Sequence, residues 1–198
     1  MCDCLVALPH SSRSGQTLFA KNSDRPAREK QIIRFNPSRR DTKEIKATHI
    51  AVAPFSGHTL ACALSLPEWC WGAEHGVNEA GVAIGNETIY TVDDPRMAPD
   101  ALIGMDLVRL ALERATTAEE ACDVVVALIG EYGQGGSGHD TRDGAPRRPY
   151  WSSFLIADPV DAWVLETSGS TVSRLRTGSD TRGFQITSQP TSSNVMGR

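Results

Sequence analysis

Apolar residues recur with two different periods along this chain, and the change between them divides it into three stretches. In the first, short apolar and β-branched runs alternate with turn formers, as strands of a half-buried sheet require. Residues 4–8 form an apolar run stopped by Pro9. Ser12-Arg13-Ser14-Gly15 is a turn, and residues 16–21 resume extended chain. This predicts an N-terminal hairpin with residue 2 at the start of its first strand. Further strands are predicted over residues 31–35, 49–53, 59–64 and 81–84, all bounded by Gly, Pro, Asn or Ser.

In the second stretch the period becomes helical. Between residues 100 and 114, Ile103, Leu107, Leu110 and Ala111 share one face, while Asp106, Arg109 and Glu113 form a polar stripe. A second helix starts at Thr117, with Glu120 three residues on as a capping box. Its Val124, Val125, Leu128 and Ile129 suit packing on a sheet, and Gly133 is its stop. A polar loop follows to about residue 149. It opens Gly133-Gln134-Gly135-Gly136-Ser137-Gly138 but lacks the Gly-Lys-Ser/Thr ending of a phosphate-binding loop.

In the third stretch strands return over residues 153–157 and 162–166, around Asp158-Pro159-Val160-Asp161, with a third over 171–176. The polar, patternless end over residues 188–198 reads as a frayed tail. Strands, two helices, then strands predict one α+β layered domain, with the helices on one face of a largely antiparallel sheet.

Composition narrows the function without naming it. With 198 residues, 40% hydrophobic and 22% charged, the chain can bury a core and is not a disordered sequence. The formal net charge is -4, which argues against nucleic acid as a partner. Arg147-Arg148, beside Pro149, reads as a solvated pair. No apolar run is long enough for a bilayer, and the start has no signal-peptide pattern, so the default compartment is the cytoplasm. Five cysteines in a reducing compartment do not suggest a disulfide framework, and no zinc-ligand spacing occurs. Cys62 and Cys122 lie in apolar patterns and read as core. His75 and His139 read as structural or exposed residues. The composition is compatible with a homo-oligomer.

The candidate chemistry begins at Cys2. Removing Met1 would leave a thiol and a free α-amine on one residue. An α-amine titrates near 7.7–8.0, against about 10.4 for lysine, which makes it the amine best suited to act as a base near neutral pH. An amine activating its own residue's nucleophile is an established device. The hairpin returns the cluster Lys21-Asn22-Ser23-Asp24-Arg25-Pro26 beside residue 2. A cation at Lys21 would favour a thiolate, and a carboxylate at Asp24 would hold or orient the amine.

Those residues carry a resemblance. Cys2-Asp3-Cys4-Leu5-Val6-Ala7-Leu8-Pro9, followed by Ala20-Lys21-Asn22-Ser23-Asp24-Arg25-Pro26, resembles the secernins and their dipeptidase relatives. Further blocks in the expected order are Trp69-Cys70-Trp71-Gly72-Ala73-Glu74, Gly76-Val77-Asn78-Glu79-Ala80-Gly81, Asn86-Glu87, residues 102–110, Gly133-Gln134-Gly135-Gly136 and residues 162–167.

The resemblance implies a cysteine N-terminal-nucleophile hydrolase with a four-layer αββα sandwich, similar to the wider group that holds penicillin V acylase and conjugated bile acid hydrolase. It implies cleavage of amide bonds in a small peptide or amide substrate, with no metal or organic cofactor. It assigns Cys2 as nucleophile, with Cys4 as the rival, and Lys21 and Asp24 as the cation and aspartate ending the second strand. Lys21 stands where the acylases carry arginine, which removes a bidentate fork. Asn86 matches an oxyanion-hole asparagine, and Trp69, Trp71 and Glu74 are candidates for the substrate pocket. A dipeptidase is the leading reading. The alternatives are an N-acyl amide hydrolase, and a non-enzymatic interaction protein with an incomplete site. Relatives of this kind are about twice as long, so the chain is expected to be C-terminally truncated, without the further asparagine and arginine that complete related sites.

Overall fold

The computed structural model describes residues 2–177 and, as backbone, 184–187. Met1 and the tail predicted over residues 188–198 lie outside the described residues.

The chain opens with β1 (Asp3–Ala7) and β2 (Leu18–Asn22), the predicted hairpin, whose connection includes a short 3-10 turn at Pro9–Ser11. Next come β3 (Gln31–Asn36) and four two-residue strands: β4 (Arg39–Arg40), β5 (Ile45–Lys46), β6 (Ala51–Val52) and β7 (His58–Thr59). Then follow β8 (Cys62–Pro67), β9 (His75–Asn78) and β10 (Ala83–Ile89). The helices are α1 (Gly104–Arg114) and α2 (Ala118–Tyr132). The last strands are β11 (Trp151–Ala157), β12 (Ala162–Ser168), β13 (Thr171–Thr177) and β14 (Phe184–Thr187).

Seven strands form an antiparallel sheet in the order β13-β12-β11-β10-β9-β8-β3, and a smaller sheet has the order β14-β1-β2. Both helices pack on one face of the large sheet and β1 lies against the other. The described residues thus form three layers: helices, large sheet, small sheet.

The main core fills the space between helices and large sheet. Leu64, Leu66, Ile84, Phe154, Ile156 and Leu165 from the strands meet Leu107, Leu110, Ala111, Ala121, Val125 and Leu128 from the helices. Each fully buried aliphatic side chain contributes about 1.5–3 kcal/mol of transfer free energy. Cys62 and Cys122 belong to this core, as their apolar surroundings predict.

Helix α1 starts four residues later than its periodicity suggests. Leu102 is held in a parallel bridge to Gln134, and the Ile103 N–H donates to the Asp106 carboxylate at 3.4 Å, which fixes the N-terminus at that point. Helix α2 follows its sequence signals. Thr117 Oγ1 accepts from the Glu120 N–H at 3.1 Å, and Gly133 ends it with φ 76°. The Asp158 carboxylate, in the β11–β12 turn, accepts from the Ala118 N–H at 2.8 Å and ties the helix to the sheet.

The polar stripe of α1 is buried, not solvated: Asp106 is 0%, Arg109 8% and Glu113 1% exposed. Arg109 and Glu113 survive there because they are paired. Arg39 places two guanidinium nitrogens on Glu113 at 3.0 and 2.9 Å. Arg109 Nε reaches Glu113 at 3.0 Å while its guanidinium stacks on Trp71. Burial pushes the Glu113 carboxyl up, but the two guanidinium groups outweigh it and hold the group below its ordinary value.

Candidate active site

Strand alternation aims one side of β1 at the large sheet. Cys4, Val6 and Leu8 are buried there and pack with Leu155, Ala157, Ala162 and Val164. Cys2 continues that side of the strand and is half-buried. The β1–β2 register pairs Asp3 with Asn22 and Cys4 with Lys21, so the turn after β2 comes back to residue 2. There the Asp24 N–H donates to Cys2 Sγ at 3.4 Å. The hairpin therefore brings Asp24 to Cys2, as its spacing predicts.

Lys21 belongs to the neighbouring position. It lies across from Cys4, its Nζ donates to the Asn22 carbonyl at 3.2 Å, and its charge reaches Cys4 and His75. Burial, joined by the Lys21 charge, pushes the His75 imidazole down to about 4, so it is neutral at pH 7.

Cys4 can sit where it does because β10 carries glycine at the contact. A Cβ on Gly85 would lie 2.6 Å from Cys4 Sγ and 3.0 Å from the Lys21 side chain. Burial drives the Cys4 thiol far above the ordinary range and Glu87, which accepts its hydrogen bond, adds to this, while Lys21 opposes it. Cys4 is thus a neutral, inert thiol. Glu87 is 1% exposed and pairs in register with Ser153, which in turn pairs with Glu166. This polar rung adjoins the apolar one of Gly85, Leu155 and Val164. Glu87 appears in the sequence only as a motif partner of Asn86, and nothing there signals that it faces Cys4.

Asn86 points the other way. Its side chain packs against Gly104 at the start of α1 and donates to the Tyr150 hydroxyl at 3.3 Å. Its backbone N–H, the expected oxyanion donor, donates to the Glu74 carbonyl at 3.0 Å. The Asn86 side chain lies on the helix side of the sheet, because alternation along β10 gives Gly85 and Glu87 the face toward β1.

The three pocket candidates separate likewise. Trp69 lines a cleft of about 610 Å³ together with Asp24, and its indole N–H donates to Glu29 at 2.8 Å. Glu74 is buried at 3.2 Å from Arg25. Trp71 lies under Arg109 and lines a separate shallow groove with Arg39 and Asp41. Arg25, missed as a functional residue in the sequence, organises the cleft floor. Its guanidinium meets Glu29 at 2.6 and 2.9 Å and the Gly138 carbonyl at 3.0 Å. That last bond brings in the loop after α2, so that His139, Asp140, Asp143 and Arg148 line the cleft. Arg148 is exposed, as a solvated residue is expected to be, and lies on the cleft wall; Arg147, also exposed, bonds Asp100.

A second cavity, of about 660 Å³, opens between the sheets. It is lined by Phe19, Ile33, Val77, Ala83 and Pro159, with His75 on its wall.

No protein-family model matches the chain. Among solved structures it resembles a variant of conjugated bile acid hydrolase from Clostridium perfringens, with TM-score 0.58 and 13% identity over 96% of this chain and 54% of that one. It also resembles penicillin V acylase from Agrobacterium tumefaciens, with TM-score 0.56 and 14% identity over 88% and 49%. The chain spans about half the length of these structures. At such identities the likeness is one of fold: the chain shares the α+β architecture of these two structures, a large antiparallel sheet carrying two helices.

Proposed function

We propose that this chain carries the site of a cysteine N-terminal-nucleophile hydrolase that cleaves amide bonds of small peptides, a secernin-like dipeptidase. The observation that carries the reading is the contrast between its first two cysteines. Cys2 is half-buried with its sulfur on the Asp24 N–H, beside an open cleft, while Cys4 is buried as a neutral thiol.

With Met1 removed, the Cys2 α-amine takes the thiol proton and the sulfur attacks the scissile carbonyl carbon. The tetrahedral intermediate collapses, the C–N bond breaks, and the leaving amine receives the proton from the α-ammonium. Water, deprotonated by the same amine, then attacks the thioester and restores the thiol. Asp24 supports the reading because its backbone N–H lies on Cys2 Sγ, which keeps a carboxylate-bearing residue beside the proposed nucleophile. Lys21 adds a positive field at the neighbouring position. Asn86 enters this scheme only with its N–H released from Glu74.

The test combines intact mass with activity. Chain expressed from its own Met1 is expected to lack that residue and to hydrolyse free dipeptides, and Cys2→Ala is expected to abolish turnover while folding normally. Retained Met1, or turnover by Cys2→Ala, would overturn the scheme.

A second reading, an N-acyl amide hydrolase, draws on the apolar cavity between the sheets, which has room for an acyl chain. Hydrolysis of an acyl-blocked substrate with none of free dipeptides would favour it.

A further inference from the structure

We infer that Arg25 is a positioning residue of the proposed site: its buried guanidinium pins the turn after β2 so that the Asp24 N–H stays on the Cys2 sulfur. This rests on the hydrolase reading above and adds to it the group that holds the nucleophile ready.

The turn hangs between two fixed points. On one side Asn22 ends β2, paired in register with Asp3. On the other stands Arg25, whose side chain is 12% exposed. Only Ser23 and Asp24 lie between them. The Arg25 guanidinium meets three parts of the molecule. Within its own segment it bonds Glu29, from Nε at 2.6 Å and from Nη2 at 2.9 Å. From the β8–β9 connection Glu74 approaches Nε at 3.2 Å. From the loop after α2 the Gly138 carbonyl accepts from Nη2 at 3.0 Å. Glu74 is itself built into the large sheet. Its N–H donates to the Ser65 carbonyl on β8 at 2.9 Å, and its carbonyl accepts from the Asn86 N–H on β10 at 3.0 Å. Arg25 thus fastens the turn beside Cys2 to the middle of the large sheet.

The Glu29 and Glu74 side chains are 7% and 5% exposed, so each needs this cation. A planar fork serves several acceptors at once, which a lysine ammonium, a compact point charge, does not. The bond held in place is 3.4 Å long, so a small drift of Asp24 breaks it. An N–H donated to sulfur favours the thiolate, the form that attacks. An arginine that only stabilised the fold would make the same contacts, but the two roles move the Cys2 thiol in opposite directions. Loosening the turn exposes the half-buried sulfur and speeds its alkylation, whereas losing the N–H donor slows it.

The experiment reads Cys2 directly and needs no substrate. Alkylation of Cys2 by iodoacetamide at neutral pH is timed by mass mapping in wild type, Arg25→Lys and Arg25→Ala, with far-UV circular dichroism to follow folding. Labelling is expected to be about tenfold slower in both folded variants, the effect of losing one hydrogen bond to a charged acceptor. Guanidinium ion, well below denaturing concentration, is expected to restore part of the rate in Arg25→Ala, where it fills the vacated space, and none in Arg25→Lys. Should Arg25→Ala unfold, Glu29→Gln and Glu74→Gln are added so that no buried carboxylate is left unpaired. Unchanged or faster labelling in the folded variants, slower labelling that guanidinium does not reverse, or unfolding even with both carboxylates neutralised overturns the inference. Dipeptide turnover separates it from the hydrolase reading: kcat is expected to fall with the labelling rate while KM holds. Cys2-dependent turnover that the variants leave unchanged would sink the role of Arg25 and leave the hydrolase standing; slowed, guanidinium-rescued labelling with no turnover by wild type would do the reverse.

Discussion

Asp106 allows the sharpest quantitative test of how this fold handles charge. It is 0% exposed, beneath the residues that precede β6. Its carboxylate accepts from Thr48 Oγ1 at 2.6 Å, and from the Thr48 and Ile103 N–H groups at 3.4 Å each. Burial raises its pKa from 3.8 to about 6, against the hydrogen bonds from Thr48 and Ile103, which lower it. The folded state therefore holds this proton about a hundredfold more tightly than the unfolded chain, which corresponds to about 3 kcal/mol. The sign follows from linkage. Below pH 3.8 both states are protonated and the group is neutral in its effect. Between about 4 and 6 the unfolded chain ionises first, so stability falls as pH rises. Above about 6 the full cost is present.

Asp106→Asn removes the titration. Its offset from wild type includes a misplaced amide facing the Ile103 N–H, but that offset is independent of pH. Urea unfolding of both proteins from pH 4 to 7.5, followed by tryptophan fluorescence, yields a difference curve. The variant is expected to gain about 2.4 kcal/mol relative to wild type between pH 4 and 7, because part of the roughly 3 kcal/mol is already lost at pH 4. His49 and Cys70 lie near the carboxylate but are common to both proteins. A flat difference curve would refute the assignment of a costly buried charge to Asp106.

Three further outcomes are expected. Glu113→Ala strips Arg39 and Arg109 of a shared, buried partner and should cost about 3 kcal/mol in urea unfolding; a loss below about 1 kcal/mol would show that the network is not coupled to folding. Gly85→Ala forces Cys4 and Lys21 apart and should cost about 1–3 kcal/mol, with Cys4→Ala in the same chain recovering most of it; an additive double variant would remove the steric explanation. Iodoacetamide on the native chain should label Cys2 well before any other thiol, because burial shields Cys4 and raises Cys62 to about 11 and both Cys70 and Cys122 to about 12. Mass mapping that finds Cys4 labelled as fast would exchange the two cysteines' roles.

The elements that sequence periodicity locates well are those whose signals are local. Helix α2 carries its own cap at Thr117 and its own stop at Gly133, and β1 and β2 are paired by a short connection. Strand β9 was not legible, because His75-Gly76-Val77-Asn78 has no alternation and is held by neighbours on both sides, β8 and β10. The burial of Arg109 and Glu113 was not legible either, since their cover comes from Arg39, 74 residues before Glu113 in the chain. At the site, Cys2 and Asp24 could be placed together because a hairpin is a local device. Asn86 could not, because the face it presents depends on the alternation of β10 between the two sheets. Arg148 is exposed, as its sequence surroundings suggest, but its place on the cleft wall was not legible, because Arg25, far away in sequence, holds that loop.

Strand β1 is the middle strand of its sheet, and one of its two neighbours is made very late. Asp3, Cys4, Leu5 and Val6 pair with Thr187, Ile186, Gln185 and Phe184. At about 5–20 residues per second, a ribosome needs about ten seconds or more after the first residues emerge before that partner exists. During this interval the start of the chain is an unclamped strand with one open edge. Any processing of the N-terminus has its widest access in that window, and the closing of the sheet ends it. Synthesis order thus acts as a timer: the start of the chain is loose first, and only afterwards does the last described strand lock it in place.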